Sequence, residues 1–244
     1  MITDKPSASP AVLSIAGHDP SAGAGLLADI RTFAEHDVNA IGVCTAITVQ
    51  NENEFREVHW TQYQLIEKQL ECALVECTPS AIKIGLIEST AVLEQLVCLL
   101  RSVAPNAFIV WDPILRASAG YEFHTGAIDL EPEILAQLNL ITPNLEEATP
   151  LGINTDPYLF SQKCPVIVKG GHAKGDRAED VLYVAGEAHY FSAARLSIAA
   201  RHGSGCVFSA AILANVAHGL ALPQACKKAK EYTLAYLANV KFDL

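Results

Sequence analysis

The 244-residue chain is poor in positive charge: 17 lysines and arginines stand against 27 aspartates and glutamates, a net charge of −10. The basic residues form no stripe or cluster. Neutralising a phosphate backbone requires clustered Lys and Arg, so nucleic acid is excluded as the main partner. No uninterrupted apolar run approaches the ~20 residues that a membrane helix needs, so no membrane partner is expected. Residues 1–10 lack the charged-then-apolar layout of a signal peptide and read as a flexible tail. The seven cysteines (Cys44, Cys72, Cys77, Cys98, Cys164, Cys206 and Cys226) are odd in number and contain no CxxC spacing. That excludes a disulfide framework and a zinc site, and it points to a reducing, cytoplasmic setting. His18, His124 and His202 likewise fall in no metal-ligand spacing. Internal repeats, low-complexity linkers and a convincing domain boundary are also missing, so residues 1–244 read as a single domain.

Half of the residues are hydrophobic, enough for a large core in one α/β domain. Short Val/Ile-rich runs alternate with longer amphipathic segments, the pattern of a parallel sheet flanked by helices. Strands are predicted near 12–16, 41–49, 81–85, 108–111, 140–142, 166–169 and 181–184, with an antiparallel addition at 187–191. After Gly25 a helix is expected to bury Leu26, Ile30, Phe33 and Ala34 on one face. A second, over 63–75, carries Leu65, Ile66, Leu70, Ala73 and Leu74 as its stripe. Segment 207–218 is apolar nearly all round, which places it between sheet and neighbouring helices. Gly219 ends it, and Pro223 opens the last helix at a position where proline costs no hydrogen bond.

In such sheets ligands gather outside the carboxyl ends of the strands, so the polar turns there hold the candidate site. The strongest is Gly203-Ser204-Gly205-Cys206, a glycine turn leading directly into the apolar helix. Backbone N–H groups at a helix start have no intrahelical partner, and the helix dipole adds positive charge, which suits an anion such as phosphate. The same field is expected to lower the pKa of Cys206 and make it a base or nucleophile. The remaining six cysteines read as mid-strand or mid-helix packing residues.

The first turn, Gly17-His18-Asp19-Pro20-Ser21-Ala22-Gly23-Ala24-Gly25, lets a ligand approach the backbone closely, and Asp19 offers it an acceptor. This is not GxGxxG, and a tight turn alone would explain it. Gln50, at a strand end, has the donors and acceptors to read an amino-substituted heteroaromatic edge, or it is a solvated loop amide. Asp112 follows a strand. Asn144 and Glu147, three apart in the first turn of a helix after Pro143, either cap that helix or hold Mg²⁺ through waters. Lys169 ends a buried-looking strand, where it neutralises a phosphate or reaches solvent, and His172 reads as a loop residue.

Taken in order, segments 16–25, 45–51, 83–85, 112–113, 142–148, 168–172, 180–183 and 203–211 resemble the hydroxymethylpyrimidine and phosphomethylpyrimidine kinases of the ribokinase-like superfamily. The resemblance implies a three-layer α/β/α sandwich with a mostly parallel central sheet. It implies ATP and Mg²⁺ as co-substrate and cofactor, and transfer of the γ-phosphoryl group to 4-amino-5-hydroxymethyl-2-methylpyrimidine, and in many members to its monophosphate. By the same resemblance Gly17, Asp19 and Gln50 bind the pyrimidine. Asn144, Gly203, Ser204 and Gly205 form the nucleotide and anion hole. Asp112 and Glu147 serve the metal, Lys169 meets the phosphates, and Cys206 is the base. Most ribokinase relatives carry aspartate at that last position, and the pyrimidine kinases carry cysteine.

The chain departs from the family's pattern at Ala200-Arg201-His202, where Asn-Thr-His is usual, and at Leu86, where a methionine is frequent. It also looks shorter than usual between Asn144 and Lys169. A pyridoxal or pyridoxine kinase on the same fold and a catalytically silent ligand-binding paralogue are the alternatives. A homodimer, with residues 45–60 as interface and lid, is implied by analogy alone.

Overall fold

The computed structural model describes residues 9–124, 126–171, 176–195 and 202–238. The chain runs β1 (Ala11–His18), α1 (Gly25–Glu35), β2 (Asn39–Gln50), β3 (Phe55–Trp60), α2 (Tyr63–Ala73), β4 (Ala81–Ile84), α3 (Thr90–Val103), β5 (Phe108–Trp111) and α4 (Pro132–Leu135). It continues through β6 (Leu140–Ile141), α5 (Leu145–Ala148), α6 (Pro157–Ser161), β7 (Val166–Val168), β8 (Arg177–Val184), β9 (Glu187–Ala194), α7 (Ser204–Ala217) and α8 (Leu222–Ala238). The strands form one sheet in the order β3-β2-β1-β4-β5-β6-β7-β8-β9. Pairing is parallel from β2 through β7, while β3, β8 and β9 are antiparallel additions at the two edges.

Side chains alternate across a strand, and here the alternation divides the core in two. Leu13, Ile15, Ile82, Ile84, Ile109, Trp111 and Ile141 face a layer containing α2, α3 and α4. Val12, Ala81, Val110, Leu140 and Ile167 face the opposite layer, built from α1, α7 and α8. Central strands buried on both faces read as continuous apolar runs, which is why β4 and β5 were legible although only four residues long. The expected three-layer α/β/α sandwich is therefore observed.

Three details differ from the sequence reading. Strand β3 was not foreseen; its Phe55 and Trp60 pack with Tyr121 and Phe123 in an aromatic cluster that the distant 115–124 segment completes. Helix α1 buries Ala28, Asp29, Thr32 and Phe33 and leaves Ala34 exposed, because the charged Asp29 finds a partner inside the protein. Cys77 and Cys164 lie in loops instead of within a strand or helix.

Arg101, near the end of α3, fastens the α3–β5 connection to the segment after α4. It donates to the carbonyl of Ala107 at 2.7 Å, to the Asn139 side-chain oxygen at 2.7 Å and to the Gln137 carbonyl. Asn139 in turn accepts from the Ile109 N–H at 2.8 Å, so one guanidinium sets the start of β5 and of β6. Hydrogen bonds to a charged group contribute about 1.5–3 kcal/mol each, and leaving buried carbonyls unpaired adds to their loss. We expect Arg101→Ala to lower stability by about 2 kcal/mol in urea titration while kcat and KM stay unchanged; a wild-type midpoint would refute this role.

Candidate active site

The β1–α1 turn and the turn before α7 meet backbone to backbone. Gly203 has φ +79°, and a Cβ on it would lie 1.9 Å from the Gly23 carbonyl oxygen. Gly25 has φ +59°, and its Cβ would lie 2.2 Å from the carbonyl oxygen of Gly17. Only glycine fits either place, by conformation and by space alike. Asp19 locks the junction. Its Oδ1 accepts from the Ser21 N–H at 2.9 Å and the Ser21 hydroxyl at 2.8 Å. Its Oδ2 accepts from the Ala24 N–H at 2.9 Å and pairs with His202 Nε2 at 2.8 Å. Burial opposes ionisation of Asp19, but the bonds from His202, Ser21 and Ala24 outweigh it and hold the carboxyl below the usual range. Asp19 therefore spends its oxygens on joining the two turns.

The α7 turn carries Gly203 as its left-handed N-cap, with Ser204, Gly205 and Cys206 forming the first helical residues. The Cys206 side chain points inward and is only 6 % exposed. Burial pushes the thiol up to about 11, with Asp112 and Asp29 adding to the effect while Lys83 and the Gly25 N–H oppose it. The expected lowering of this pKa is thus overturned: a helix-terminus field acts over one turn and here loses to desolvation and to two carboxylates.

Lys169, just past β7, reaches this turn with a side chain that keeps 15 % exposure. A Cβ on Gly205 would lie 3.2 Å from the Lys169 ammonium. The ammonium donates to Asp112 Oδ1 at 2.8 Å. Burial favours the neutral amine, but Asp112 and Glu147 prevail and keep Lys169 above its ordinary pKa. Asp112 also accepts from the Thr142 hydroxyl at 2.9 Å and the Ser209 hydroxyl at 2.9 Å. Burial disfavours its charge, and Lys169, Lys83 and the bonds to Lys169 and Thr142 restore it, leaving its pKa lowered.

Asn144 caps α5 by accepting from the Glu146 and Glu147 N–H groups at 2.8 and 2.9 Å, while Glu147 accepts from the Asn144 N–H at 2.8 Å. The capping box is complete. A parallel bridge between Asn144 and Lys169 brings cap and lysine side by side. Gln50 closes the other side: its amide donates to the Thr48 hydroxyl at 2.9 Å, and Thr48 donates to the His18 carbonyl at 2.8 Å. Leu86 lies against Gly17, with its Cδ2 3.0 Å from where a Cβ would stand.

The structure thus draws Gly17, Asp19, Asp112, Asn144, Glu147, Lys169 and the 203–206 turn together at the carboxyl ends of the central parallel strands, with Gln50 linked to them through Thr48. His172 and Arg201 lie outside the described residues. Sequence reasoning missed His202, Thr142, Ser209 and the buried pair Lys83–Asp29. A lysine and an aspartate inside otherwise apolar periodic segments were the available signal.

A mostly parallel α/β sandwich whose glycine turn starts a helix beside a half-buried lysine and buried carboxylates defines a ribokinase-like phosphotransferase. The phosphomethylpyrimidine kinase family model matches residues 19–243, and the chain belongs to that family. A hydroxymethylpyrimidine/phosphomethylpyrimidine kinase of Aquifex aeolicus (strain VF5) is 35 % identical over 94 % of this chain and 94 % of its own. The phosphomethylpyrimidine kinase of Clostridium difficile 630 superposes with a TM-score of 0.73 at 28 % identity, covering 93 % of this chain and 99 % of that one. The pyridoxal kinase of Staphylococcus aureus, in complex with AMP-PCP and pyridoxal, superposes with a TM-score of 0.81 at 28 % identity, covering 95 % and 89 %.

Burial, with Asp112 nearby, pushes Glu147 from 4.5 up to about 7, against the pull of Lys169 and of the Asn144 and Leu115 N–H groups. The folded pKa lies above the unfolded one, so Glu147 supports the fold below pH 4.5, and that support is lost as pH rises through about 7. We expect Glu147→Gln to match wild-type stability near pH 4 and to exceed it at pH 8 by up to about 3 kcal/mol. Equal stability at both pH values would contradict this environment.

Proposed function

We propose that this chain transfers the γ-phosphoryl group of ATP to the hydroxymethyl oxygen of 4-amino-5-hydroxymethyl-2-methylpyrimidine, and to its monophosphate in a second round, in thiamine biosynthesis or salvage. The observation that carries the proposal is Cys206, set in the first turn of α7 beside the Lys169–Asp112 pair. Phosphoryl transfer needs in-line positioning and compensation of negative charge more than covalent help from the protein. The free N–H groups of the α7 turn and the Lys169 ammonium supply that compensation. Gln50 reads the aminopyrimidine edge, with Gly17 and Leu86 as the wall beside it. Asp19 serves the pocket by holding that wall to the α7 turn through His202.

As the substrate oxygen bonds to phosphorus and the bond to ADP breaks, the hydroxyl proton passes to Cys206 Sγ. With the thiol pushed up to about 11, only a small fraction is thiolate near neutrality. Turnover limited by that proton transfer therefore climbs about tenfold per pH unit below the pKa.

The residues fit Mg²⁺ held through waters. Asp112 has both oxygens bound by Thr142, Lys169 and Ser209, so it does not ligate directly. Glu147, pushed up to about 7 by burial and by Asp112, is a carboxyl group whose ionised form a further cation would favour. Bound there with ATP, Mg²⁺ supplies charge compensation on the phosphates. A cytoplasmic homodimer is the expected working form; Ile47 and Val49 of β2, 57 % and 41 % exposed, give the β2–β3 hairpin an apolar face for it.

The likeness to a pyridoxal-bound kinase makes pyridoxal the second substrate to test. Coupled measurement of ADP release with Mg²⁺-ATP should give turnover with the pyrimidine well above that with pyridoxal. The reverse ranking would assign a pyridoxal kinase, and no ADP with either would leave a silent paralogue. We further expect log kcat to rise with pH between about 6 and 9 with a slope near one, and Cys206→Ala to lose most turnover while still binding nucleotide. A flat profile, or full activity in the variant, removes the thiol from the mechanism.

A further inference from the structure

On the face covered by α1, α7 and α8, the central strands present apolar side chains except at Ser14 of β1 and Lys83 of β4, which lie in register. Both turn towards Asp29 of α1. Lys83 Nζ donates to Asp29 Oδ1 at 2.5 Å, and the Ser14 hydroxyl donates to Asp29 Oδ2 at 2.6 Å. Lysine and aspartate side chains are both fully buried. Burying two ions costs several kcal/mol each, and well-packed apolar residues would fold as well or better. The pair therefore asks for a reason beyond stability.

Its orientation supplies one. Ser14 fixes the far oxygen of Asp29, so the lysine lies between the carboxylate and α7, where Nζ also donates to the Cys206 carbonyl at 3.4 Å. The positive end of the pair thus faces the first turn of α7 from the protein interior. Lys169, whose side chain keeps 15 % exposure, flanks the same turn. The anion-binding turn stands between two ammonium groups, one of which no solvent or ligand can reach.

We infer that Lys83, oriented by Asp29 and Ser14, is a positioning residue for phosphoryl transfer: it fixes the Cys206 carbonyl and holds the positive end of a buried ion pair behind the anion turn. The inference rests on the kinase reading above. A fixed charge of this kind costs no reorganisation during reaction and favours the state with the most negative charge at the turn, which is the transition state. Its loss should appear in kcat and not in ground-state binding.

The test is the neutral swap Lys83→Met with Asp29→Leu, made together, beside Lys83→Met alone and the wild type. The single variant leaves a buried carboxylate unpaired and should melt far below wild type; the double variant should recover wild-type thermal stability. We expect the recovered double variant to lose roughly tenfold or more in kcat, with KM for ATP and for the pyrimidine nearly unchanged. A kcat restored along with stability would show a packing role only and overturn the inference. A double variant that cannot fold would overturn it too, by making the pair a requirement of the fold. Lack of turnover in the wild type would instead sink the kinase reading itself.

Discussion

The site depends on two chain reversals that touch without side chains between them. Gly203 lies on the Gly23 carbonyl, so a Cβ there would drive the β1–α1 turn and α7 apart; Gly25 lies on the Gly17 carbonyl, so a Cβ there would open the β1–α1 turn itself. Their contact sets where α7 begins, which sets where its free N–H groups point. It also seats the Cys206 thiol under the Gly25 N–H. The Asp19–His202 pair, 2.8 Å long and nearly buried, fastens the junction. Everything proposed for this pocket follows from that close approach.

Around the junction the protein concentrates charge where water is scarce. Among the described residues, Asp29, Asp112 and Glu147 face only Lys83 and Lys169, one cation short of balance. Burial raises both Asp29 and Glu147 in spite of their lysine neighbours, and Glu147 is pushed up to about 7. Cys206 tells the same story from the thiol side. Read from sequence, it stood in the field of a helix N-terminus; in the fold it stands in a dry layer facing two carboxylates, and desolvation decides its protonation. A site short of cations in its resting state is one that binding of a metal cation would relax.

Much of the architecture was legible because the central strands are apolar on both faces and end in polar or glycine turns. Their order along the chain marked a parallel sandwich, and the Asn144–Glu147 spacing marked a helix start that the structure closes as a capping box. Other elements were not legible. Strand β3 is short and polar between its end residues Phe55 and Trp60 except at Val58, and those aromatics gain meaning only beside Tyr121 and Phe123. On helix α1 the sequence reading placed Phe33 and Ile30 inward, as found, but left Asp29 out because it counts as a surface residue in any periodicity argument. Only the presence of Lys83 across the layer makes it an interior one.

The sequence by itself determined the class of fold, the family and the set of chemically capable residues, because periodicity, glycine turns and motif order are local and survive in one dimension. The tertiary structure alone decided what each of those residues is free to do. It committed the Asp19 oxygens to a turn, filled Asp112 with Thr142, Lys169 and Ser209, and buried Lys83 beside Cys206. Protonation and partner choice follow from burial and distance between remote segments, and neither quantity is written in the order of the residues.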